Sequence, residues 1–369
     1  DKGENTHILH YGDSQIESDR MTSMLRERWQ ADFGGSGPGL VCPVPITASA
    51  AITQRQSGNW KRYTAYGFDD GKASHNKYGV MASFGRFTPQ HADGNFTASD
   101  STSAWLEFSP SGMSSSTCRI YNEATMYFGH HKAGVRIDVI ANDSVISSEV
   151  YEANSGIIKK TWRLGRTPKK LRFEFYGADS PDVQAVLLQS SGGVHVDNIA
   201  LRGSNGNIFK RIDGSELSQQ MRDLNVKFVI MQFGGNSVPY ITGEKSANDY
   251  AQFFRAQIQY MKSLNPNASF LIIGPSDMST SVDGVYQTWP HLEDVVLAMK
   301  EAAFAENCGF WDMYSVMGGR NSMVSWVKNS PPYAGPDYTH FTPSGARKMA
   351  DLLYKSIQRE YEAWHKALP

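Results

Sequence analysis

Apolar and polar positions along the chain fall into three textures. At the start, HILHY (7–11) reads as a short strand that ends in Gly12-Asp13-Ser14. Beyond it Met21, Leu25 and Trp29 recur at four-residue spacing with Met24 beside them, giving one apolar helical face. Glu17 and Asp19 stand near the start of that predicted helix, where acidic groups suit the helix dipole. The stretch FGGSGPGL (33–40) then breaks any regular element.

From 43 to 195 the period shortens to two. Val135, Ile137 and Val139 alternate in VRIDVI, Leu171, Phe173 and Phe175 in LRFEFYG, and Leu106 and Phe108 in WLEFS. Such alternation between Gly, Ser and Thr-rich turns predicts antiparallel strands and a β-sandwich. From 196 onward α/β texture returns. VKFVIMQFGGN (226–236) and SFLIIGPSD (269–277) are apolar on both faces, as buried parallel strands are. Between them Tyr250, Phe253, Phe254, Ile258 and Met261 predict a helix. LEDVVLAMKEAAFAENC predicts another, and GFWDMY a further strand. The last helix is expected to start with Thr342 as N-cap and Pro343 at its first position.

Strands alternating with helices imply an α/β fold with a doubly wound parallel sheet. Residues 1–42 cannot build one alone, so the simplest topology is a discontinuous α/β domain, 1–42 plus 196–369, with an antiparallel β-sandwich domain, 43–195, inserted.

Composition narrows the function classes. Hydrophobic residues make up 40% and charged residues 20% of the 369 positions, which suits a packed core. A net charge of −1 argues against nucleic acid as partner, since phosphate neutralisation needs an excess of Lys and Arg. No apolar run is long enough for a membrane span. The chain opens at Asp1 without methionine, which fits a processed or a trimmed form and leaves a removed signal peptide open but not visible. Cys42, Cys118 and Cys308 are widely spaced without a zinc pattern; their odd number leaves room for one disulfide or for three thiols.

Three motifs fall where an open sheet presents reactive groups: Gly12-Asp13-Ser14 after the first strand, Gly234-Gly235-Asn236 after Phe233, and Asp337-Tyr338-Thr339-His340 before the last helix. Acyl transfer by serine needs a hydroxyl, a base, a group that orients the base, and oxyanion donors. Ser14, His340, Asp337 and the Asn236 amide, with backbone N–H groups, are residues of those types. Each motif alone is common as a plain turn or loop; their conjunction carries the reading.

On these blocks the sequence resembles the SGNH (GDSL-type) hydrolases. GDS matches the serine block, Gly234-Gly235-Asn236 the asparagine block and Asp337 to His340 the aspartate–histidine block. Gly203, in HVDNIALRGSNG, is the choice for the glycine block, with Gly206 nearby. The resemblance implies a flavodoxin-like, three-layer hydrolase with Ser14 as nucleophile, His340 as base, Asp337 as its partner, and Ser14, Gly203 and Asn236 forming the oxyanion hole. The first block and SGNW (57–60) are similar to bacterial peptidoglycan O-acetylesterases, which carry a carbohydrate-binding-like β-module after the serine block. That likeness implies an acetyl-serine intermediate on an acetylated glycan, no metal or organic cofactor, and a bacterial protein acting outside the cytoplasm. Gln15 departs from the histidine those esterases often carry there. Gln15, Asp13 and Gly235 are further candidates for substrate contact, although Asp13 also suits a turn-holding role.

Other residues have bland readings. His7 and His10 are expected to be packed and hydrogen-bonded. His130 and His131, adjacent on a strand, point to opposite faces and are poor partners for one ion. Trp60, Trp105 and Trp162 can stack on sugars, but aromatics in a sandwich usually serve its core. Three rival functions remain at this stage: an acetylxylan or other polysaccharide deacetylase, a lipid-directed esterase without a long lid, and an idle glycan-binding protein.

Overall fold

Two strand–helix–strand units organise the C-terminal part. Val226–Gln232 and Ser269–Ile273 pair in parallel, joined through the helix Glu244–Leu264. Ser269–Ile273 and Gly309–Trp311 pair likewise, joined through Leu292–Ala305. Parallel neighbours need such crossovers, so the helical and apolar runs of the sequence had to alternate. The chain is described here from a computed structural model that covers residues 3–67, 73–90, 96–97 and 100–367.

Contacts divide the described chain into two compact units. One holds residues 8–29, 198–209 and 226 onward. Its strands lie in a sheet of order Gly193–Ala200, Asn5–Gly12, Val226–Gln232, Ser269–Ile273, Gly309–Trp311, to which the first two contribute their C-terminal halves. The fold is the expected α/β class. In Glu244–Leu264 the buried stripe is Ala247, Tyr250, Phe254, Ile258 and Met261. Phe253, expected on it, is 66% exposed, because one residue from Phe254 turns it about 100° around the helix. The last helix, Pro343–Lys366, begins as expected: Thr342 Oγ1 accepts from Gly345 N at 3.2 Å, with Pro343 at the first position.

The first helix differs from expectation. Ser14–Asp19 forms a kinked 3-10 segment, and the α-helix runs over Thr22–Phe33. Glu17 and Asp19 therefore do not serve its dipole. Asp19 meets Arg26 through two bonds, 2.5 and 3.0 Å, with both side chains buried. Glu17 receives Arg202 in a bidentate pair at 2.6 and 2.7 Å.

The other unit is a β-sandwich. One sheet runs Asn154–Arg163, Glu123–His131, Asp182–Gln189, Ser83–Arg86, Lys61–Thr64, with Gly39–Val41 added on Asp182–Gln189. The second runs Ile52–Gln56, Thr102–Pro110, Leu171–Gly177, Val135–Ala141, Ser144–Tyr151. The alternating residues meet between them: Leu106, Phe108, Ile137, Val139, Phe173 and Phe175 share one core with Met126, Phe128, Val183 and Val186. Trp60 and Trp162 belong to that core, and the Arg172 guanidinium covers Trp105 at 4.5 Å. By contacts this unit also takes in the chain up to His7 and residues 30–42, 196–197 and 210–225, which sequence texture groups with the α/β part. The helix Gly214–Asp223 shows why. Gln220 Oε1 accepts from Val80 N at 2.7 Å, and Glu216 accepts from Gln184 at 3.0 Å and meets His130 at 2.7 Å.

All three cysteines are free thiols. Among the described residues no helix is long and apolar enough to cross a membrane, and no group of three His, Cys, Asp or Glu is placed to hold a metal.

Removing one partner of a buried ion pair strands the other charge. Asp19→Ala, which strands Arg26, is expected to cost about 3–5 kcal/mol of stability in urea denaturation.

Candidate active site

The turn after the first strand is tight for a physical reason. A Cβ on Gly12 would lie 2.9 Å from Ile16 Cδ1 and 3.2 Å from the Gln232 carbonyl oxygen, so any larger residue would push on both where the strand ends against its neighbour. Asp13 then caps the 3-10 turn: its Oδ1 accepts from Gln15 N at 2.9 Å. Ser14 stands at the start of that turn and opens into a cleft of about 510 Å³, shared with Gly203, Gly235, Asn236, Tyr240 and His340.

The histidine arrives from the far end of the chain. Ser14 Oγ lies 2.8 Å from His340 Nε2, and His340 Nδ1 lies 2.7 Å from Asp337 Oδ2. The loop that carries both is tied at each end. Gly335 N donates to the His340 carbonyl at 2.8 Å, and Ser279 N donates to the Tyr338 carbonyl at 2.9 Å. Tyr286 stacks on Tyr338 at 3.6 Å between ring centroids, 7° from parallel. Burial works against the Asp337 carboxylate. Hydrogen bonds from the His340 ring and from the His340 and Thr339 N–H groups outweigh it and hold the group below its ordinary range. An ionised Asp337 fixes the imidazole with its proton on Nδ1 and its lone pair toward Ser14.

Among the described residues the N–H groups of Ser14 and Gly203 have no hydrogen-bond partner in the protein, which leaves them available to an oxyanion. Asn236 is placed at the same cleft but is engaged. Its Nδ2 donates to Asp13 Oδ2 at 3.2 Å and to the Ser204 carbonyl at 3.0 Å, so it reaches a developing charge only by giving up one of these bonds.

The GDSL-like Lipase/Acylhydrolase family model matches residues 167–353. The chain belongs to this family. The match starts after most of the sandwich strands and leaves Ser14 outside it, as an insertion behind the serine turn would cause. No curated protein matches in sequence. Among solved structures the chain is similar to a peptidoglycan O-acetylesterase at TM-score 0.72 and 20% identity, over 98% of this chain and 93% of that one. Fainter likenesses are to an acetyl xylan esterase (TM-score 0.31, 18% identity, 44% of this chain, 81% of that one) and to a family two carbohydrate esterase from Clostridium thermocellum (TM-score 0.30, 10% identity, 71% of this chain, 93% of that one). The protein is thus an ester hydrolase of the GDSL family with the SGNH fold.

Within this GDSL hydrolase, the residues expected to touch substrate have other partners. Both oxygens of the Asp13 carboxylate are engaged, by Gln15 N and Asn236 Nδ2. Gln15 is buried, its Nε2 donating to the Thr339 carbonyl at 2.6 Å and its Oε1 accepting from Phe341 N at 3.2 Å. Gly235 lines the cleft, but the glycine its loop requires is Gly234, at φ +114° with a Cβ only 2.8 Å from Met299 Sδ and 2.9 Å from Pro275 Cδ. His10 is buried between Thr22 and Gln232, and burial lowers its pKa to about 4, so the ring is a neutral packing element. In the sandwich unit His7 donates to Asp197 at 2.6 Å. Sequence reasoning passed over Arg20 and Tyr240. Arg20 donates to the carbonyls of Glu17 (2.9 Å), Phe341 (3.0 Å) and Ser14 (3.3 Å). A lone arginine or tyrosine in a polar stretch gives no periodic signal.

Burial pushes the Asp13 pKa up to about 6 from 3.8, outweighing its bond from Gln15 N and the nearby His340. A raised carboxyl pKa contributes stability that is fully present below about pH 4 and lost as pH rises through about 6. Asp13→Asn cannot ionise. Its stability relative to the parent should therefore improve by about 1 kcal/mol between pH 5 and pH 8, read from denaturation midpoints at both pH values.

Proposed function

We propose that the protein is a serine carbohydrate esterase that removes O-acetyl groups from a glycan, with peptidoglycan the first substrate. The observation that carries this reading is the continuous hydrogen-bonded line Ser14–His340–Asp337, opening into a cleft beside two unpartnered N–H groups.

The chemistry follows from that line. Ser14 Oγ attacks the acetyl carbonyl carbon as His340 Nε2 takes its proton, while Asp337 stabilises the imidazolium. The Ser14 and Gly203 N–H groups receive the oxyanion, joined by Asn236. Collapse breaks the bond to the sugar oxygen, which takes the proton from His340, and leaves acetyl-Ser14. Water then adds to that ester as His340 removes its proton; acetate leaves and Ser14 recovers its hydrogen. None of these steps calls for a metal or cofactor. An intact relay disfavours an idle glycan-binding protein.

Three observations support a glycan over a lipid. Charged and hydrogen-bonding side chains stand among the apolar surface of the cleft, Glu17, Arg202 and Asn236 among them. Tyr240 at its edge is 81% exposed, and a flat ring with an apolar face at the cleft edge suits the C–H face of a sugar. The likeness to a peptidoglycan O-acetylesterase extends over nearly the whole chain, which favours that glycan over xylan. A peptidoglycan substrate also implies work outside the cytoplasm.

Acetate release from O-acetylated peptidoglycan and from acetylated xylan, with parent and Ser14→Ala, tests the proposal. Expected is release from peptidoglycan that falls by at least about 10³-fold in Ser14→Ala. Full activity in Ser14→Ala refutes the mechanism, and release from xylan alone refutes the substrate. Tyr240→Ala should raise KM on the glycan about 10-fold and leave kcat/KM on a small aryl acetate unchanged, as loss of a stacking platform of about 1–1.5 kcal/mol would.

A further inference from the structure

We propose that Gln15 and Arg20 form a positioning clamp that holds His340 against Ser14. The inference rests on the reading of His340 as the base. It starts from an account of the backbone groups around that residue. The His340 N–H donates to Asp337 Oδ1 at 3.1 Å, and the His340 carbonyl accepts from Gly335 N at 2.8 Å, both within the histidine's own loop. The next groups outward are held from the serine side. The Thr339 carbonyl accepts from Gln15 Nε2, the Phe341 N–H donates to Gln15 Oε1, and the Phe341 carbonyl accepts from Arg20 Nη1. One carboxamide thus grips the main chain on both sides of His340, and a guanidinium takes the following carbonyl.

The same two residues fasten the serine. Gln15 follows Ser14 directly, and its own N–H is fixed by Asp13 Oδ1. Arg20 returns from the end of the 3-10 segment to the Ser14 carbonyl through Nη2 and to the Glu17 carbonyl through Nε. A glutamine alone offers both donor and acceptor at this reach, which matches the two complementary groups at Thr339 and Phe341. The clamp fixes the serine–histidine distance through main-chain bonds. A shift of about 1 Å in a reacting group can cost about 10²-fold in rate.

The test is a mutant cycle on a small aryl acetate. Gln15→Met keeps volume and removes both bonds; it is combined with His340→Ala, and Ser14→Ala serves as control. Expected for Gln15→Met is a fall in kcat of about 10- to 100-fold with KM changed by less than about 3-fold. In the His340→Ala background the same change should have no further effect on residual activity, because the clamp acts through the imidazole. The clamp is refuted by a Gln15→Met kcat within about 2-fold of the parent, or by an equal loss in both backgrounds. If Gln15→Met does not fold, Gln15→Glu carries the same cycle; at neutral pH it keeps an acceptor for Phe341 N–H and loses the donor for Thr339, and the same two results decide. Full activity in Ser14→Ala or His340→Ala overturns the base assignment itself. Wild-type kcat in Gln15→Met with both of those variants dead overturns the clamp alone.

Discussion

The candidate site depends on a hydrogen bond between two residues 326 positions apart, Ser14 and His340. No local preference brings such positions together. The sheet order does so in part, by setting the first strand beside Val226–Gln232, and so the serine turn beside the Gly234–Asn236 loop. Gly12 and Gly234 are both tight points of that arrangement, since a side chain at Gly12 would press on Ile16 and on the Gln232 carbonyl, and one at Gly234 on Met299 and Pro275. The histidine is set by different means, a loop before the last helix that is closed by its own main-chain bonds and braced by the Tyr286–Tyr338 stack. The two parts then meet through side chains rather than through a shared strand.

That manner of meeting carries a cost in buried charge. Asp13 is buried at the turn with its pKa raised, while Asp19–Arg26 and Glu17–Arg202 place two further carboxylates among packed residues. A fully buried pair such as Asp19–Arg26 adds little net stability relative to apolar packing of the same volume. These groups fix direction instead. A carboxylate with both oxygens engaged leaves Asn236 one orientation, and a guanidinium spread over three carbonyls leaves the 3-10 turn one path. The polar groups at this site are better understood as constraints on geometry than as sources of folding energy.

The sequence carried some of this plainly and hid the rest. Apolar periods of two and of three to four residues marked the sandwich strands and the crossover helices, because burial on one face or on two leaves a regular trace. Thr342-Pro343 was readable because a cap needs particular residue types at particular positions. Ser14, Asp337 and His340 were readable as types at the ends of elements, and the structure brings them into one line. What failed to show was partnership over distance. Glu17 and Asp19 look like helix-dipole residues until Arg202 and Arg26 are seen to face them. Gln15 looks like a substrate contact because it adjoins the serine, and only the fold reveals two backbone groups within its reach. Gly214–Asp223 reads as part of the α/β texture, yet its polar face belongs to Gln184, His130 and Val80 of the sandwich.

The aromatic residues make the same point about recognition. A sandwich needs bulky side chains where its sheets face one another, and Trp60 and Trp162 are used there, Trp60 edge-on to Phe87 and Phe175 and Trp162 tilted against Phe173. A ring so packed has no face left for a sugar, so tryptophan content alone says little about glycan binding. Exposure within the catalytic cleft is the more discriminating property: Tyr240 is exposed there, whereas Trp60 and Trp162 are buried in the sandwich. On the proposed reading, selectivity for the glycan then lies in the cleft of the hydrolase unit itself, close to the acetyl group. There a ring contact affects binding of the polymer and leaves the chemistry at Ser14 untouched.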